Sequence, residues 1–320
     1  MEQRKKALIT GAHGQDASHL SEFLAEKGYE VFGLERRVAL EDQTARRHFT
    51  GEVVPCDVTN YSSVVSAVLR VQPDELYHLA GQSDVGYSFK DPFQTVDVNI
   101  NGTLNVLEAL RLHSPTTRFY FAGSSEQFGQ VLAEPQNEQT PFNPRSPYAV
   151  SKVAGFFLTN NYRDQGMFAC SGILFNHEGP RRGKEFVTRK ITDAVAKIKL
   201  GKQEFVTLGN LDTKRDWGYA GDYVEAMWMM LQQPKADDFV IATHETHTLK
   251  EFLAEAFGHV GLDWRDHVTT DPKFVRPTDV VTLSGDYSKA RRTFGWEPKV
   301  RFRELVKMMV DWDLKQNSGS

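Results

Sequence analysis

Short apolar runs alternate with helical patterns along the first half of the chain. The run KALIT meets the turn GAHGQDA, after which Leu20, Phe23 and Leu24 follow at helical spacing until Gly28 ends the pattern. Five further runs predict strands, with helical patterns such as INGTLNVLEALRLH between them: YEVFGLE, EVVPCDV, DELYHLA, RFYFAGS and CSGILF. Strands that alternate with helices predict an α/β fold with a doubly wound parallel sheet, in which ligands bind at the carboxyl ends of the strands.

The pattern changes after Phe175, where NHEGPRRGKEF collects Pro, Gly and charged residues before the helical stretch VTRKITDAVAKIKLG. We therefore predict a Rossmann domain over residues 1–175, to which the chain returns near 211–243 and 280–290. The remaining segments, 176–210 and 244–316, are predicted to form a smaller, interleaved C-terminal lobe that binds substrate.

Composition excludes several classes of protein. The chain has 320 residues, of which 40% are hydrophobic, and a net charge of −4, which gives no general basic field for nucleic acid or a membrane surface. No apolar run is long enough to span a bilayer. Two cysteines, Cys56 and Cys170, are too few for a disulfide framework, and their wide spacing is not that of metal ligands. The stretch HETH at 244–247 is interpreted as loop, so we expect no metal site. A reduced, cytoplasmic location fits best.

The turn TGAHGQDA predicts a dinucleotide site. Gly11 allows a tight turn, Gly14 allows close approach of the backbone to a pyrophosphate, and the small Ala17 allows the helix to pack on the strand. An ordinary strand-to-helix turn would carry the same residues, but the position after the first strand and before a helix favours the cofactor.

Residues after the second strand bear on the choice of cofactor. Glu35 could accept from the ribose hydroxyls of NAD, whereas Arg36 and Arg37 could pair with the 2′-phosphate of NADP. A glutamate aimed at that phosphate would repel it, so we expect NADP with Glu35 turned away, and NAD is the less favoured alternative. Asp57, after the third strand, is expected to meet the adenine, although a turn-capping aspartate would look the same.

Tyr148 and Lys152 lie one helical turn apart in YAVSK and share a face. An ammonium beside a phenol is expected to lower the pKa of the phenol and make it a usable general base. On its own, this spacing is more typical of a surface tyrosine and lysine. The context favours a catalytic pair, because Ser124, at the tip of the fifth strand, supplies the hydroxyl that would hold a substrate alcohol. Together with the glycine turn, these residues resemble the extended short-chain dehydrogenase/reductase family.

Glu126, two residues after Ser124, has no task in simple alcohol oxidation. Once the C4 hydroxyl of a sugar is oxidised, the C5 proton lies alpha to a carbonyl, and a carboxylate can remove it while the C6 hydroxyl leaves. The alternative interpretation is that Glu126 caps the following turn.

Longer stretches, including FNHEGPRRGKEFVTRKI, LGNLDTKRDWGYAGDYVEAMWMML and VRPTDVVTLSGDYSKARRTFGWEPKV, resemble the GDP-mannose 4,6-dehydratase family over nearly the whole chain. The resemblance implies an NADP enzyme that makes GDP-4-keto-6-deoxy-mannose, with catalytic roles for Ser124, Glu126, Tyr148 and Lys152. The implied cofactor-binding residues are Thr10, Gly11, Gly14, Gln15, Asp16, Arg36, Asp57, Val58, Leu79, Ala80, Lys152, His177 and Arg182. The implied residues for the GDP-sugar are Ser83, Asn176, Lys190, Arg215 and Arg276.

The chain departs from the family pattern at three places. Ser124 stands where the family has threonine, which keeps the hydroxyl. Asp84 stands where histidine is expected, and an added acid there could favour another GDP-sugar, such as a GDP-heptose. The segment after Arg37, which in the family reaches a neighbouring subunit's cofactor, is short, so we expect a homo-dimer at least as readily as a tetramer.

Two alternatives stay open beside a dehydratase. A nucleotide-sugar epimerase of the same fold would keep Tyr148 and Lys152 but would not need Glu126. A non-catalytic NADP-sensing protein would use the dinucleotide lobe as a switch, although it would need no Tyr–Lys pair.

Overall fold

A seven-stranded parallel sheet forms the centre of the larger lobe in the computed structural model, which describes residues 4–36, 48–274 and 282–319. Its strands are β1 (Lys6–Thr10), β2 (Glu30–Glu35), β3 (Glu52–Pro55), β4 (Glu75–His78), β5 (Arg118–Ala122), β6 (Ala169–Leu174) and β10 (Phe239–Ile241). Their order in the sheet is β3-β2-β1-β4-β5-β6-β10, so the strand order reverses between β1 and β4. The carboxyl ends at such a switch point open a crevice for ligands.

Helices cover both faces of this sheet, so the predicted doubly wound α/β fold is confirmed. One buried cluster packs α1 (Gln15–Glu26), α8 (Ala220–Leu231) and α10 (Ser288–Phe294) against the sheet. The other packs α2 (Tyr61–Val71), α5 (Gly102–His113) and α6 (Pro147–Asp164) on the opposite face. Two short helices, α3 (Val85–Lys90) and α4 (Pro92–Val96), lead through a π-turn into α5.

A second lobe has its own apolar core. Its strands are β7 (Asn176–Glu178), β8 (Val206–Leu208), β9 (Lys214–Tyr219), β11 (Thr246–Thr248) and β12 (Val268–Thr270). They form a three-stranded sheet of order β11-β9-β7 and a separate β12-β8 pair. The core between them is filled from α7 (Val187–Lys199), α9 (Leu249–His259) and α11 (Phe302–Ser318).

The strand β9 belongs to the second lobe, although the sequence places it in the first domain. It pairs with β7 and β11 rather than with the large sheet, and its Trp217 packs in the core of the second lobe. The next helix, α8, packs on the large sheet. We therefore propose that the return predicted over 211–243 begins at Ala220, with the rest of the interleaved division unchanged.

The remaining expectations from composition concern cysteines, metals and membranes. Cys56 and Cys170 are both free and buried. Over residues 4–36, 48–274 and 282–319, no group of three or more His, Cys, Asp or Glu side chains could hold a metal ion. Over the same ranges, no helix is long and apolar enough to cross a membrane.

Candidate active site

One cavity of about 650 Å³ opens at the carboxyl ends of the large sheet and extends to the second lobe. Its lining includes all four predicted catalytic residues, Ser124, Glu126, Tyr148 and Lys152. All the predicted cofactor residues except Thr10 also line it, as do Ser83, Asn176, Lys190 and Arg215 of the predicted substrate residues. Arg276 lies outside the described residues.

The glycine turn leaves room for a pyrophosphate. Gly11 has a φ of +75°, and a Cβ there would lie 3.0 Å from the Ala80 backbone, so no larger residue fits. Gly14 precedes α1 and provides no side-chain cap for the first amides of that helix. These amides and the positive end of the helix dipole suit a phosphate, which fits the predicted dinucleotide.

Thr10 positions the turn from behind instead of lining the cavity. It is fully buried, and its hydroxyl oxygen accepts from the amides of Leu79 (3.0 Å) and Ala80 (2.9 Å). The hydroxyl proton is therefore available to Nδ1 of His78, 2.9 Å away, while Nε2 of His78 lies 3.1 Å from Thr103. Burial lowers the pKa of His78 to about 3, with a smaller contribution from Lys152, so this imidazole is neutral at pH 7.

At the end of β2, both Glu35 carboxylate oxygens are held by backbone amides. Oε2 accepts from His13 (3.2 Å) and Oε1 accepts from Arg36 (2.9 Å), while the Arg36 side chain is exposed at the cavity. Asp57 accepts from the amide and hydroxyl of Thr59, so it caps a turn and also lines the cavity. Arg37 lies outside the described residues.

A partly buried ion pair joins α1 to β7. His177 Nε2 lies 2.8 Å from Asp16 Oδ2, and its Nδ1 lies 2.8 Å from the Phe175 carbonyl. Burial works against both charges, but the pair outweighs it: the pKa of Asp16 falls to about 2 and the pKa of His177 is raised. Arg182, which also lowers the pKa of Asp16, brings a second cation to this part of the cavity.

The segment after β5 forms a 3-10 turn over Ser125–Gln127. Ser124 accepts from the Glu126 amide (3.3 Å), and Gln127 Oε1 accepts from the Ser124 amide (2.8 Å), so these two side chains make the capping hydrogen bonds. The Glu126 side chain is not needed as the cap and lines the cavity instead.

Tyr148 and Lys152 lie at the start of α6, which Ser146 caps by accepting from the Ala149 amide at 3.0 Å. Both are buried, and the Lys152 ammonium donates to the Ala122 carbonyl at 2.8 Å. The expected lowering of the Tyr148 pKa is wrong for this structure: burial raises it to about 12, although the Ser124 hydrogen bond works in the other direction. Burial also lowers the pKa of Lys152 to about 8.

Two cations of the second lobe, Lys190 and Arg215, line the cavity. Lys190 donates to the Thr207 carbonyl at 2.7 Å, and burial together with the nearby Lys273 lowers its pKa. Arg215 is mostly buried and donates to the Lys214 carbonyl at 2.8 Å. Neighbouring cations that line a cavity are suited to a diphosphate.

Comparisons with known proteins identify the family of this chain. The family model described as GDP-mannose 4,6 dehydratase matches residues 8–309. The curated "GDP-mannose 4,6 dehydratase 1" of Arabidopsis thaliana is 52% identical over 98% of this chain and 90% of its own length. The human "GDP-mannose 4,6 dehydratase" is 44% identical over 98% of this chain and 92% of its own length. The chain belongs to the GDP-mannose 4,6-dehydratase family.

Solved structures place this dehydratase-family chain among nucleotide-sugar enzymes of the same fold. A Thermus thermophilus UDP-glucose 4-epimerase in complex with NAD is similar, with a TM-score of 0.84 and 28% identity over 96% of this chain and 98% of that chain. RMD from Pseudomonas aeruginosa, complexed with NADPH, has a TM-score of 0.82 at 24% identity, covers 98% of this chain and 99% of that chain, and supports the fold alone.

Asp84, the acid that departs from the dehydratase-family pattern, caps α3. Its Oδ1 accepts from the amides of Gly86 (2.7 Å) and Tyr87 (3.1 Å), which accounts for an acid at this position without a different sugar. The side chain nevertheless lines the cavity.

Sequence reasoning missed Asn99, whose side chain links the loop after β4 to α6. Its side chain bonds both backbone groups of Gln82, at 2.8 and 3.0 Å, and donates to Ser151 at 2.9 Å. Ser151 in turn donates to the Tyr148 carbonyl. The signal in the sequence is weak, because Asn99 is distant from Gln82 along the chain and looks like an ordinary polar residue before a helix.

Proposed function

We propose that this protein converts GDP-mannose to GDP-4-keto-6-deoxy-mannose and water, with NADP as a recycled cofactor. The observation that carries the proposal is the carboxylate of Glu126 in the same cavity as Ser124, Tyr148 and Lys152. A site that only oxidised and re-reduced C4 would have no use for this acid.

The residues of this chain divide the proton transfers between them. Ser124 and Tyr148 hold the C4 hydroxyl, and Tyr148 receives its proton. Glu126 removes the C5 proton, which lies alpha to the new C4 carbonyl, while the C6 hydroxyl departs. Two protons are thus removed, and two are returned, one to the departing hydroxide and one to C5. Bound NADP would accept a hydride from C4 and return it at C6, so no external reductant is consumed.

Tyr148 needs help to act as a base, because burial raises its pKa to about 12. Lys152 lies on the same face of α6, and its charge can stabilise phenolate when the proton leaves the C4 hydroxyl. Arg182 already lowers the pKa of Tyr148 through its charge. The role of these cations is therefore to offset the burial cost of a transient phenolate.

For the cofactor, residues at the end of β2 support NADP over NAD. Both Glu35 carboxylate oxygens accept from backbone amides, and although Glu35 also lines the cavity, Arg36 is the more exposed of the two side chains. A guanidinium suits the 2′-phosphate that distinguishes NADP. Asp16 and His177, with Arg182, would border the pyrophosphate.

The substrate would lie with its diphosphate between Lys190 and Arg215 and its hexose near Ser83 and Asn176. All four line the same cavity as the catalytic candidates. Arg276 is kept as a further candidate for the diphosphate from the family resemblance alone.

A homo-dimer is also proposed, on the evidence of an apolar surface. Phe93 of α4 is 86% exposed, and Phe157 of α6 is 59% exposed, on helices that pack against each other. Val96, Leu104 and Val150 add exposed apolar area nearby in the chain. An exposed apolar patch of this kind is typical of an interface, and a second copy would cover it with matching residues.

A cytoplasmic location stays a prediction.

Mass spectrometry tests the reaction directly. Purified protein is incubated with GDP-mannose and only a catalytic amount of NADP, and we expect a product lighter by one water. A product of unchanged mass would favour the epimerase instead. Binding of NADP with no change in any GDP-sugar would favour the non-catalytic alternative.

A further inference from the structure

Gln82, in the loop that follows β4, has one polar atom with no partner among the described residues. Its backbone is held on both sides by Asn99, and its side-chain Nε2 donates to the Asp84 carbonyl at 2.8 Å. Oε1 is buried and makes no hydrogen bond within residues 4–36, 48–274 and 282–319. Because Gln82 lines the cavity, a bound ligand can supply the missing donor.

The orientation of the Gln82 amide follows from its neighbour. The Asp84 carbonyl can only accept, so the nitrogen of the amide must face it. A flipped amide would bring two oxygens together and would lose the 2.8 Å hydrogen bond. Oε1 is therefore a fixed acceptor, which selects ligands that present an N–H or O–H group.

Gln82 lies near the reacting groups rather than at the adenosine end of the cavity. Its neighbour Gly81 lies close to Lys152, since a Cβ there would be 3.7 Å from Lys152 Nζ. The next residue, Ser83, is one of the predicted substrate residues. A ligand group that meets Oε1 is therefore expected to belong to the reacting end of the ligand.

We propose that Gln82 is a specificity residue whose Oε1 accepts a hydrogen bond from a hydroxyl of the substrate's hexose. The inference rests on the proposed function, because it assumes a hexose at the reacting end of the cavity. A fixed acceptor discriminates strongly, since a sugar that lacks the hydroxyl leaves Oε1 unpaired in the interior.

The test is calorimetric binding to the full-length protein, with GDP-mannose, GDP and NADP as separate ligands. Gln82→Met fills the same volume without an acceptor, and we expect it to weaken GDP-mannose binding by about tenfold. GDP and NADP binding should stay within about twofold, because neither presents a hexose hydroxyl. Gln165→Met, at an exposed position outside the cavity, is the matched control and should change none of the three.

A ligand comparison separates the acceptor from the structural bond to Asp84. GDP-deoxymannoses that each lack one hexose hydroxyl are bound to wild type and to Gln82→Met. The analogue that lacks the hydroxyl facing Oε1 should bind wild type about tenfold more weakly than GDP-mannose does, and should bind Gln82→Met as tightly as GDP-mannose does. Losses that are the same in both proteins for every analogue would overturn the inference, because the bond to Asp84 would then explain the weaker binding of Gln82→Met.

The other outcomes are equally decisive. Weaker NADP binding with unchanged GDP-mannose binding would assign Oε1 to the cofactor and overturn the inference, as would no change in Gln82→Met. A wild-type protein that loses water from GDP-mannose yet shows no effect of Gln82→Met refutes only the inference. A wild-type protein that removes no water from GDP-mannose refutes the proposed function, and this inference falls with it.

Discussion

Replacing Lys152 by methionine is expected to stabilise the fold while removing the proposed catalytic cation. Lys152 is buried, and its ammonium donates a hydrogen bond to the Ala122 carbonyl. Burial lowers its pKa from 10.5 to about 8, which means that the folded protein binds this proton less tightly than the unfolded chain does. Methionine has a similar length and carries no charge to bury.

The size of the effect follows from that pKa. A downward shift of roughly 2.5 units corresponds to a cost of about 3 kcal/mol for the charged form at pH 7. The lost hydrogen bond to Ala122 takes back about 1 kcal/mol, so Lys152→Met should be about 2 kcal/mol more stable than wild type. At roughly 0.7 kcal/mol per kelvin of unfolding entropy for a chain of this length, the melting temperature should rise by about 3 °C.

The pH dependence gives the sharper test. Between about pH 8 and 10.5 the unfolded wild type binds more protons than the folded protein, so wild-type stability rises with pH relative to the variant. Urea unfolding of cofactor-free protein at pH 7 and pH 10 should therefore show the advantage of Lys152→Met at pH 7 and none at pH 10. Lys235→Met, at an exposed site, should be neutral at both values. A difference between Lys152→Met and wild type that is independent of pH would refute the reasoning.

Three further predictions concern the reaction, the second lobe and assembly. Glu126→Gln should slow water loss from GDP-mannose by about 10²- to 10⁴-fold, measured by mass spectrometry, with GDP-mannose affinity within about threefold; full turnover would contradict the assignment. Asp313→Ala should cost about 3–5 kcal/mol in urea unfolding because it leaves Arg189 buried without its carboxylate, and a change below about 1 kcal/mol would contradict this. Phe157→Glu should shift sedimentation towards monomer, and an unchanged dimer would exclude this surface as the interface.

The larger lobe was predictable because its signals are local. Each parallel strand is a short buried run, and each helix repeats apolar residues at helical spacing, so element type and order could be inferred without knowing any contact. The glycine turn and the Tyr148–Lys152 pair are also local, since their residues lie within a few positions of each other. Family resemblance then supplied residues such as His177, whose bond to Asp16 joins positions 161 residues apart.

The unpredicted features depend on contacts between distant segments. Nothing near Gln82 in the sequence indicates that Asn99 will hold its backbone, and Thr10 is separated from its partner His78 by 68 residues. The raised pKa of Tyr148 is of the same kind, because it depends on how deeply α6 is buried against β5. A sequence motif can identify a base and its cation, but burial decides how much stabilisation the base needs.

The turn over Ser125–Gln127 explains how one scaffold can serve different reactions. The fold is shared with a UDP-glucose 4-epimerase at a TM-score of 0.84, so the sheet and the cofactor crevice cannot decide the chemistry. In this chain Ser124 and Gln127 cap the turn between them, which frees the side chain of Glu126 to line the cavity. The hydroxyl of Ser124 and the carboxylate of Glu126, which we propose as the substrate-holding group and the base, are therefore carried two residues apart on one capped turn. With Glu126 in its proposed role, an acid on this turn extends oxidation at C4 to elimination across C5 and C6.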